Sequence, residues 1–257
     1  MRLDIVLPAH NEEARIGRTL TAYRAACPTE VRLLVALDNC VDATEKVVAE
    51  HAAADARVRS FSYPKLGKGG VIMETMRRSD ADLVAFVDAD CATPPMELLR
   101  LAEAAQRADG AIAIRWHPTS VLPGYRKRPW LRRMSSAGFA FAVRHLFHLP
   151  FADTQCGAKV FRRDAAQRLV PLLSSRDFVF DVDLLLTARA LGLRVAQLPT
   201  VWIDRDGSRV NATDSGRMAA SLVRLWLHHR VIPVEPSSPS GAELAAATTE
   251  TGGRIAA

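Results

Sequence analysis

The chain has little to cross-link it. Its 257 residues include four cysteines, Cys27, Cys40, Cys91 and Cys156, widely scattered, with no CxxC pair and no close Cys/His cluster. Neither a zinc site nor a disulfide framework is indicated, and a reducing compartment is the simpler expectation. Long apolar runs are missing too. No stretch reaches the roughly 18 residues of a membrane span, and the longest candidate, SSAGFAFAVRHLFHLP, is interrupted by Arg144, His145 and His148. The opening LDIVLPA is too short for the apolar region of a signal peptide, so membrane contact is expected to be peripheral and the location cytoplasmic. There is no internal repeat, no GxxxxGK[ST] loop, no GxGxxG fingerprint and no GxSxG around Ser135 and Ser136. Those absences argue against P-loop, dinucleotide and serine-hydrolase chemistry. No helix-turn-helix, zinc finger or single-strand-binding pattern points to nucleic acid either.

What remains is a chain that is 49% hydrophobic and 24% charged, with a net charge of +6. It is long enough for one domain with a substantial core, and its balance favours anionic partners such as nucleotides or phosphorylated lipids. Residues 3–9, VRLLVALDN, VRSFSY, LVAFVDAD and GAIAIRW read as strands. Between them EEARIGRTLTAYRAAC, DATEKVVAEHAA, VIMETMRRS and PPMELLRLAEAAQRA carry helical spacing, with Asn11 a plausible cap and KLGKGG a turn. This alternation predicts an α/β fold with a mostly parallel sheet flanked by helices, its ligands beyond the carboxyl ends of the strands.

After Trp116 the pattern changes to a long basic loop and a helix from about Met134 to Leu149. The segment DTQCGAKVFRRD follows, then a helix through Ala165 to Leu173, a helix FDVDLLLTARALG, a strand with a turn, and a last helix GRMAASLVRLWLHHR. Residues 1–232 are expected to form one domain, with a nucleotide-binding half (1–116) and an acceptor-binding half (117–232). The Pro/Ser/Gly/Ala/Thr-rich residues 233–257 are expected to be a disordered tail.

The chemistry gathers at strand ends. Asp88 and Asp90 are two carboxylates one residue apart at the end of a buried strand. Such a pair either ligates a divalent cation that also holds a diphosphate or forms an ordinary acidic turn. Asp38 ends the second strand, where a carboxylate meets a nucleoside or forms a turn. LGKGG either offers amides and Lys68 to an anion or is simply flexible. Arg126, Lys127, Arg128, Arg132 and Arg133 flank Tyr125 and Trp130, an arrangement suited to a phosphate at a membrane interface, or to a solvated loop. The last helix reads as core-packed or as lying on a membrane surface.

VLPAHNEEARI, LLVALDNCVDAT, KLGKGG, FVDADCATPP and DTQCGAKVF, in that order, resemble the inverting family 2 glycosyltransferases of the GT-A fold. The nearest likeness is to the branch that makes dolichyl-phosphate glucose and mannose. The resemblance implies a Rossmann-like GT-A domain and a nucleotide-sugar donor, with UDP-glucose favoured. It implies Mg2+ or Mn2+ at Asp88 and Asp90, and a polyprenyl or dolichyl phosphate acceptor. Pro8, Ala9, Asn11, Glu12, Asp38, Lys68 and Asp88 would hold the nucleotide-sugar. Asp153, with Asp181 and Asp183 behind it, would supply a base or orient the acceptor, and Arg126, Arg128, Arg132 and Arg133 would bind its phosphate. Arg205 and Gly207–Val210 resemble the Gly-Ser-basic signature of the glucosyl branch. The rivals are a same-fold enzyme acting on a soluble small molecule or secondary metabolite, and a non-catalytic nucleotide-sugar or anionic-membrane binding protein.

Overall fold

The computed structural model describes residues 1–125, 130–177, 179–205 and 214–229, and among residues 130–137 and 214–219 the backbone alone. Seven strands form one sheet: β1 (Leu3–Ala9), β2 (Val31–Asp38), β3 (Val58–Tyr63), β4 (Leu83–Phe86), β5 (Gly110–Ile114), β6 (Lys159–Arg162) and β7 (Val195–Pro199), in the order β3-β2-β1-β4-β6-β5-β7. All neighbours run parallel except β6, which is antiparallel to both β4 and β5. The central strands are covered on both faces, which is why they read as continuous apolar runs rather than alternating ones.

Two cores sandwich the sheet. On one side α1 (Ile16–Ala26), α2 (Thr44–Ala54) and α4 (Pro95–Ala105) pack on Ile5, Leu7, Val35 and Ala85. α1 turns Ile16, Thr19, Leu20 and Tyr23 inward at the spacing of one helical face. On the other side α3 (Gly67–Arg78), α6 (Arg163–Leu169) and α7 (Phe180–Ala190) pack on Val6, Val84 and Phe86. A third cluster joins α7 to α5 (Trp130–Phe147) and α8 (Asp214–His229) through Val143, Phe147, Val182 and Leu225. Among the described residues no helix is long and apolar enough to cross a membrane.

Several boundaries depart from the sequence reading. GKGG is not a free turn but the first turn of α3. Gly69 has no room for a Cβ, which would fall 2.6 Å from Phe180 Cβ. β4 stops at Phe86 and the chain has turned by Asp90, with Cys91 at φ 58°. Asn11 does not cap α1, which starts four residues after Glu12. It sits at φ 54°, a conformation asparagine tolerates better than most residues, and its Oδ1 accepts the Val41 amide at 2.8 Å. The strand β6 was read only as a segment, and α5 begins four residues before Met134. The division at residue 116 does not interrupt the sheet, because β6 inserts between β4 and β5. The expected tail 233–257 lies outside the described residues.

Candidate active site

Strands β1, β2 and β4 end on one edge, and the polar residues there are held by bonds across the loops. Pro8 and Ala9 close β1, opposite Ala36 and Leu37. The Ala9 carbonyl accepts from Cys40 Sγ at 3.3 Å, and the Glu12 amide donates to Thr44 Oγ1 at 2.6 Å. The Glu12 carboxylate is paired with Arg15 at 2.6 Å. Asp38 accepts the Leu66 and Gly67 amides at 2.6 and 3.1 Å, so both of its oxygens tie the start of α3 to the end of β2.

Asp88 and Asp90 sit in the loop after β4, half-buried. That loop is fixed from α1. Arg18 donates to the Asp90 carbonyl (3.3 Å), Thr19 Oγ1 to that of Ala89 (2.6 Å) and the Tyr23 hydroxyl to that of Thr93 (2.9 Å). Burial, with nearby thiols and the two aspartates adding to it, raises the Tyr23 phenol well above its usual value, so it stays a neutral donor. On the far side the Ile203 amide holds the Ala92 carbonyl at 2.8 Å. Asp90 Oδ1 accepts the Ala92 amide at 2.9 Å. Burial first, and then the charge of Asp88, push its carboxyl above the usual range. Asp88 Oδ1 meets Lys68 Nζ at 2.9 Å, while its Oδ2 lies so close over Gly157 that a Cβ there would be 2.0 Å away.

Lys68 also reaches Asp181 Oδ2 at 3.2 Å. The other oxygen of Asp181 takes the fully buried Lys159 ammonium at 2.6 Å. Burial alone would raise the Asp181 carboxyl, but Lys159 and Lys68 outweigh it and hold it below the usual range. Asp153 is gripped by Arg115 through Nε (2.6 Å), Nη2 (2.9 Å) and the backbone amide (3.0 Å), and it also accepts from the Gln155 amide at 3.1 Å. Here too the neighbouring guanidinium overcomes burial and keeps the carboxyl low. The Arg115 guanidinium itself lies over the rings of Trp116 and Trp202, 5.5 and 5.4 Å from their centroids. Asp183 bonds to the Ser174 and Ser175 amides (2.8 and 2.7 Å) and to His229 Nε2 (2.8 Å). These partners hold its carboxyl low against the opposing effect of burial.

The structure thus joins Lys68, Asp88 and Asp181, places Asp90 two residues from Asp88, and gives Asp183 separate partners. Lys68, expected to hold the nucleotide-sugar, lies on the two carboxylates. Arg126, Lys127 and Arg128 lie outside the described residues, as do Gly207–Val210. Arg132 and Arg133 fall in the first turn of α5, and their side chains are outside the description. Arg18, Thr19, Tyr23 and Arg115 were missed in the sequence, and Lys159 was read only as part of the segment DTQCGAKVF. Their only signal was a basic or hydroxyl side chain inside otherwise apolar periodicity.

Among the described residues no group of three or more His, Cys, Asp or Glu side chains could hold a metal ion. Asp88 and Asp90 nevertheless fit a hard dication of the magnesium or manganese kind, which takes one or two carboxylates and completes its shell with phosphate oxygens and water. The Asp90 carboxyl, raised by burial first and then by the charge of Asp88, fits the same reading, since a bound cation would offset both.

Comparison with known proteins bears on the family and the fold. The family model described as "Glycosyl transferase family 2" matches residues 4–170. The glycosyltransferase AglD of Haloferax volcanii is 29% identical over 242 residues, covering 91% of this chain but only 38% of that protein. A dolichyl-phosphate beta-glucosyltransferase of Trichomonas vaginalis is 30% identical, covering 88% of this chain and 71% of that protein. The one from Saccharomyces cerevisiae is 27% identical, with 86% and 73% covered. Among solved structures, glucosyl-3-phosphoglycerate synthase from Mycobacterium tuberculosis, in complex with Mn2+, UDP and glucosyl-3-phosphoglycerate, superposes with a TM-score of 0.66. It has 19% identity and covers 90% of this chain and 81% of that one, a likeness of fold alone. The sheet, the strand-end aspartates and the family match lead to one conclusion: the chain is a glycosyltransferase of GT-A architecture and belongs to glycosyl transferase family 2.

Proposed function

We propose that the protein transfers a hexose, glucose in the first instance, from a nucleotide-sugar such as UDP-glucose to a polyprenyl or dolichyl phosphate, with inversion at the anomeric carbon. An acceptor phosphate oxygen attacks C1 from the face opposite the leaving group. The C1–O bond to the diphosphate breaks, and the nucleoside diphosphate leaves with the electron pair. In this reading Lys68 meets the leaving diphosphate and the β1–α1 turn from Pro8 to Glu12 borders the nucleotide. Magnesium or manganese, held by Asp88 and Asp90, would supply positive charge against the growing diphosphate charge.

One observation carries the choice of acceptor. Asp153, Asp181 and Asp183 are each engaged by cations or amides and held below the usual carboxylate range. An alcohol acceptor needs a general base within reach, and carboxylates so engaged are poor bases. A phosphate monoester is already an anion and needs cations instead. The names of the relatives support a lipid phosphate, and so does the charge distribution. From residue 110 to 152 there are seven Lys or Arg and no Asp or Glu, the stretch that contains Arg126, Arg128, Arg132 and Arg133. Phe141 and Leu146 on α5, and Val223 and Leu227 on α8, are exposed beside Arg144 and Arg224, a surface suited to the aqueous face of an anionic membrane.

The test is nucleotide release from a panel of UDP- and GDP-sugars, with Mg2+ or Mn2+, with and without a short polyprenyl phosphate. Release that requires the lipid phosphate and yields the matching glycolipid is the expected result. Turnover indifferent to the lipid, or equal with phosphoglycerate, sinks the lipid acceptor. Turnover that survives Asp90→Asn sinks the metal role.

A further inference from the structure

Four charged side chains form a ring through four separate parts of the chain. Lys159 Nζ donates to the Cys156 carbonyl (2.7 Å) and to Asp181 Oδ1 (2.6 Å). Asp181 Oδ2 meets Lys68 Nζ (3.2 Å), Lys68 meets Asp88 Oδ1 (2.9 Å), and Asp88 Oδ2 lies on Gly157, the residue after Cys156. The signs alternate around the ring and sum to zero. Burial deepens along it: the Asp88 side chain is 39% exposed, Lys68 23%, Asp181 5% and Lys159 0%.

The ring has one movable link. Lys159 has no solvent to turn to, and the ring of Phe86 lies 5.3 Å from its ammonium. Breaking a buried pair by removing one partner leaves an uncompensated buried charge, so the Lys159–Asp181 contact is fixed. Lys68 is the member that can exchange partners. A dication arriving at Asp88 repels the Lys68 ammonium and competes for the same oxygen. Lys68 can yield because Asp181 holds it by a second bond. Without a charged Asp181, Asp88 would be the one carboxylate left to Lys68 in this ring, and the ammonium would become a competitor for the cation's own ligand.

We propose that Asp181 and Lys159 are positioning residues for donor binding: Lys159 clamps one Asp181 oxygen so that the other shares Lys68 with Asp88 and frees Asp88 for the divalent cation. The proposal rests on the reading of Asp88 and Asp90 as the cation site. It assigns Asp181 a role distinct from that of a general base.

The test is a titration of the full chain with Mn2+ alone, free metal being read by its electron paramagnetic resonance signal. No sugar donor or turnover is needed. Asp181→Asn is expected to weaken Mn2+ about tenfold, at the lower end of what loss of a partner behind a metal ligand costs. In the Lys68→Met background the same substitution is expected to change the affinity less than about twofold, because the competitor is gone. Adding Lys159→Met to Asp181→Asn removes both halves of the buried pair, guards against a folding failure, and is expected to weaken Mn2+ no further. In the donor assay, Asp181→Asn should raise the Mn2+ and donor requirement while kcat recovers at high Mn2+. An equal loss in both Lys68 backgrounds, a further loss from Lys159→Met, or a kcat that stays low at all Mn2+ concentrations overturns the proposal. Wild-type protein with no Asp90-dependent Mn2+ binding would instead remove the cation site itself, and this proposal with it.

Discussion

Gly157→Ala isolates the geometry of the site better than removal of a charge does. The backbone at Gly157 is not in the left-handed region, so it would accept alanine without strain. The nearest obstacle is Asp88, since the new Cβ would stand 2.0 Å from its Oδ2 and 2.4 Å from its Cγ. Real Cβ contacts essentially never fall below 3.0 Å, so the carboxylate must retreat by 3.0 − 2.0 = 1.0 Å or more. It has somewhere to go, because the side chain is 39% exposed. The retreat sacrifices a partly exposed ion pair to Lys68, worth about 0–1 kcal/mol, which in a chain of this size shifts Tm by no more than about 4 °C. The effect on chemistry is much larger. A misplacement of about 1 Å in a group that orients the reactants costs roughly 100-fold, equivalent to about 2.7 kcal/mol of barrier. Initial rates of UDP release with polyprenyl phosphate and Mn2+, alongside a thermal melt, separate the two effects. Near-wild-type kcat/KM would refute the placement of Asp88 at the reacting diphosphate. A fall of 10 °C or more would mean that Gly157 serves the fold instead.

Other outcomes follow from the same contacts. Lys159→Met leaves Asp181 without its buried partner and should cost about 3–5 kcal/mol, lowering Tm by roughly 10 °C; a shift under about 2 °C would show that the pair is not the strut described. Gly69→Ala drives a methyl to 2.6 Å from Phe180 and should destabilise by about 1–3 kcal/mol through overpacking, measured as a lower urea midpoint. Asp153 and Asp181 have native carboxyls held below their unfolded values. Their stabilisation is therefore present above about pH 4 and is lost as the pH falls through the native values. The urea midpoint should drop on the acid side, and the double variant Arg115→Met, Asp153→Asn should drop less steeply there. A wild-type slope attributable to this pair between pH 5 and 8 would contradict the assignment.

The parallel half of the sheet was legible because its information is local. A strand covered on both faces must be apolar throughout, and the helix that returns over it must repeat its apolar residues at three and four. β1, β2, β4 and β5 come close to the first condition and α1 and α4 meet the second within their own sequences, whereas β3, at the sheet edge, reads VRSFSY. β6 is not legible in this way. It is four residues long, antiparallel, and begins with a buried lysine, so its pairing is decided by the edges that β4 and β5 present. The glycines of GKGG argue against a helix by propensity, yet Asp38, about thirty residues earlier, and Phe180, over a hundred later, impose one. In each case the deciding contact is remote along the chain.

The same distinction explains why a candidate site was legible in the sequence while the contacts around it were not. Two carboxylates ending a buried strand announce themselves, because nothing local compensates them. Asp153 and Asp181 announced themselves too, but as bases. What changes their meaning is Arg115, 38 residues before the one, and Lys159 and Lys68, 22 and 113 residues from the other. An aspartate within reach of a substrate is a base only if its lone pairs are available at the pH of the reaction. Here burial alone would have raised both carboxyls toward that role, and the paired cations reverse the direction. The cost of burying such pairs makes sense if the reaction has no proton to remove. With an acceptor that arrives already ionised, the chain can use its aspartates to fix cations in place, and that fixing is what the donor's diphosphate and the acceptor's phosphate both require.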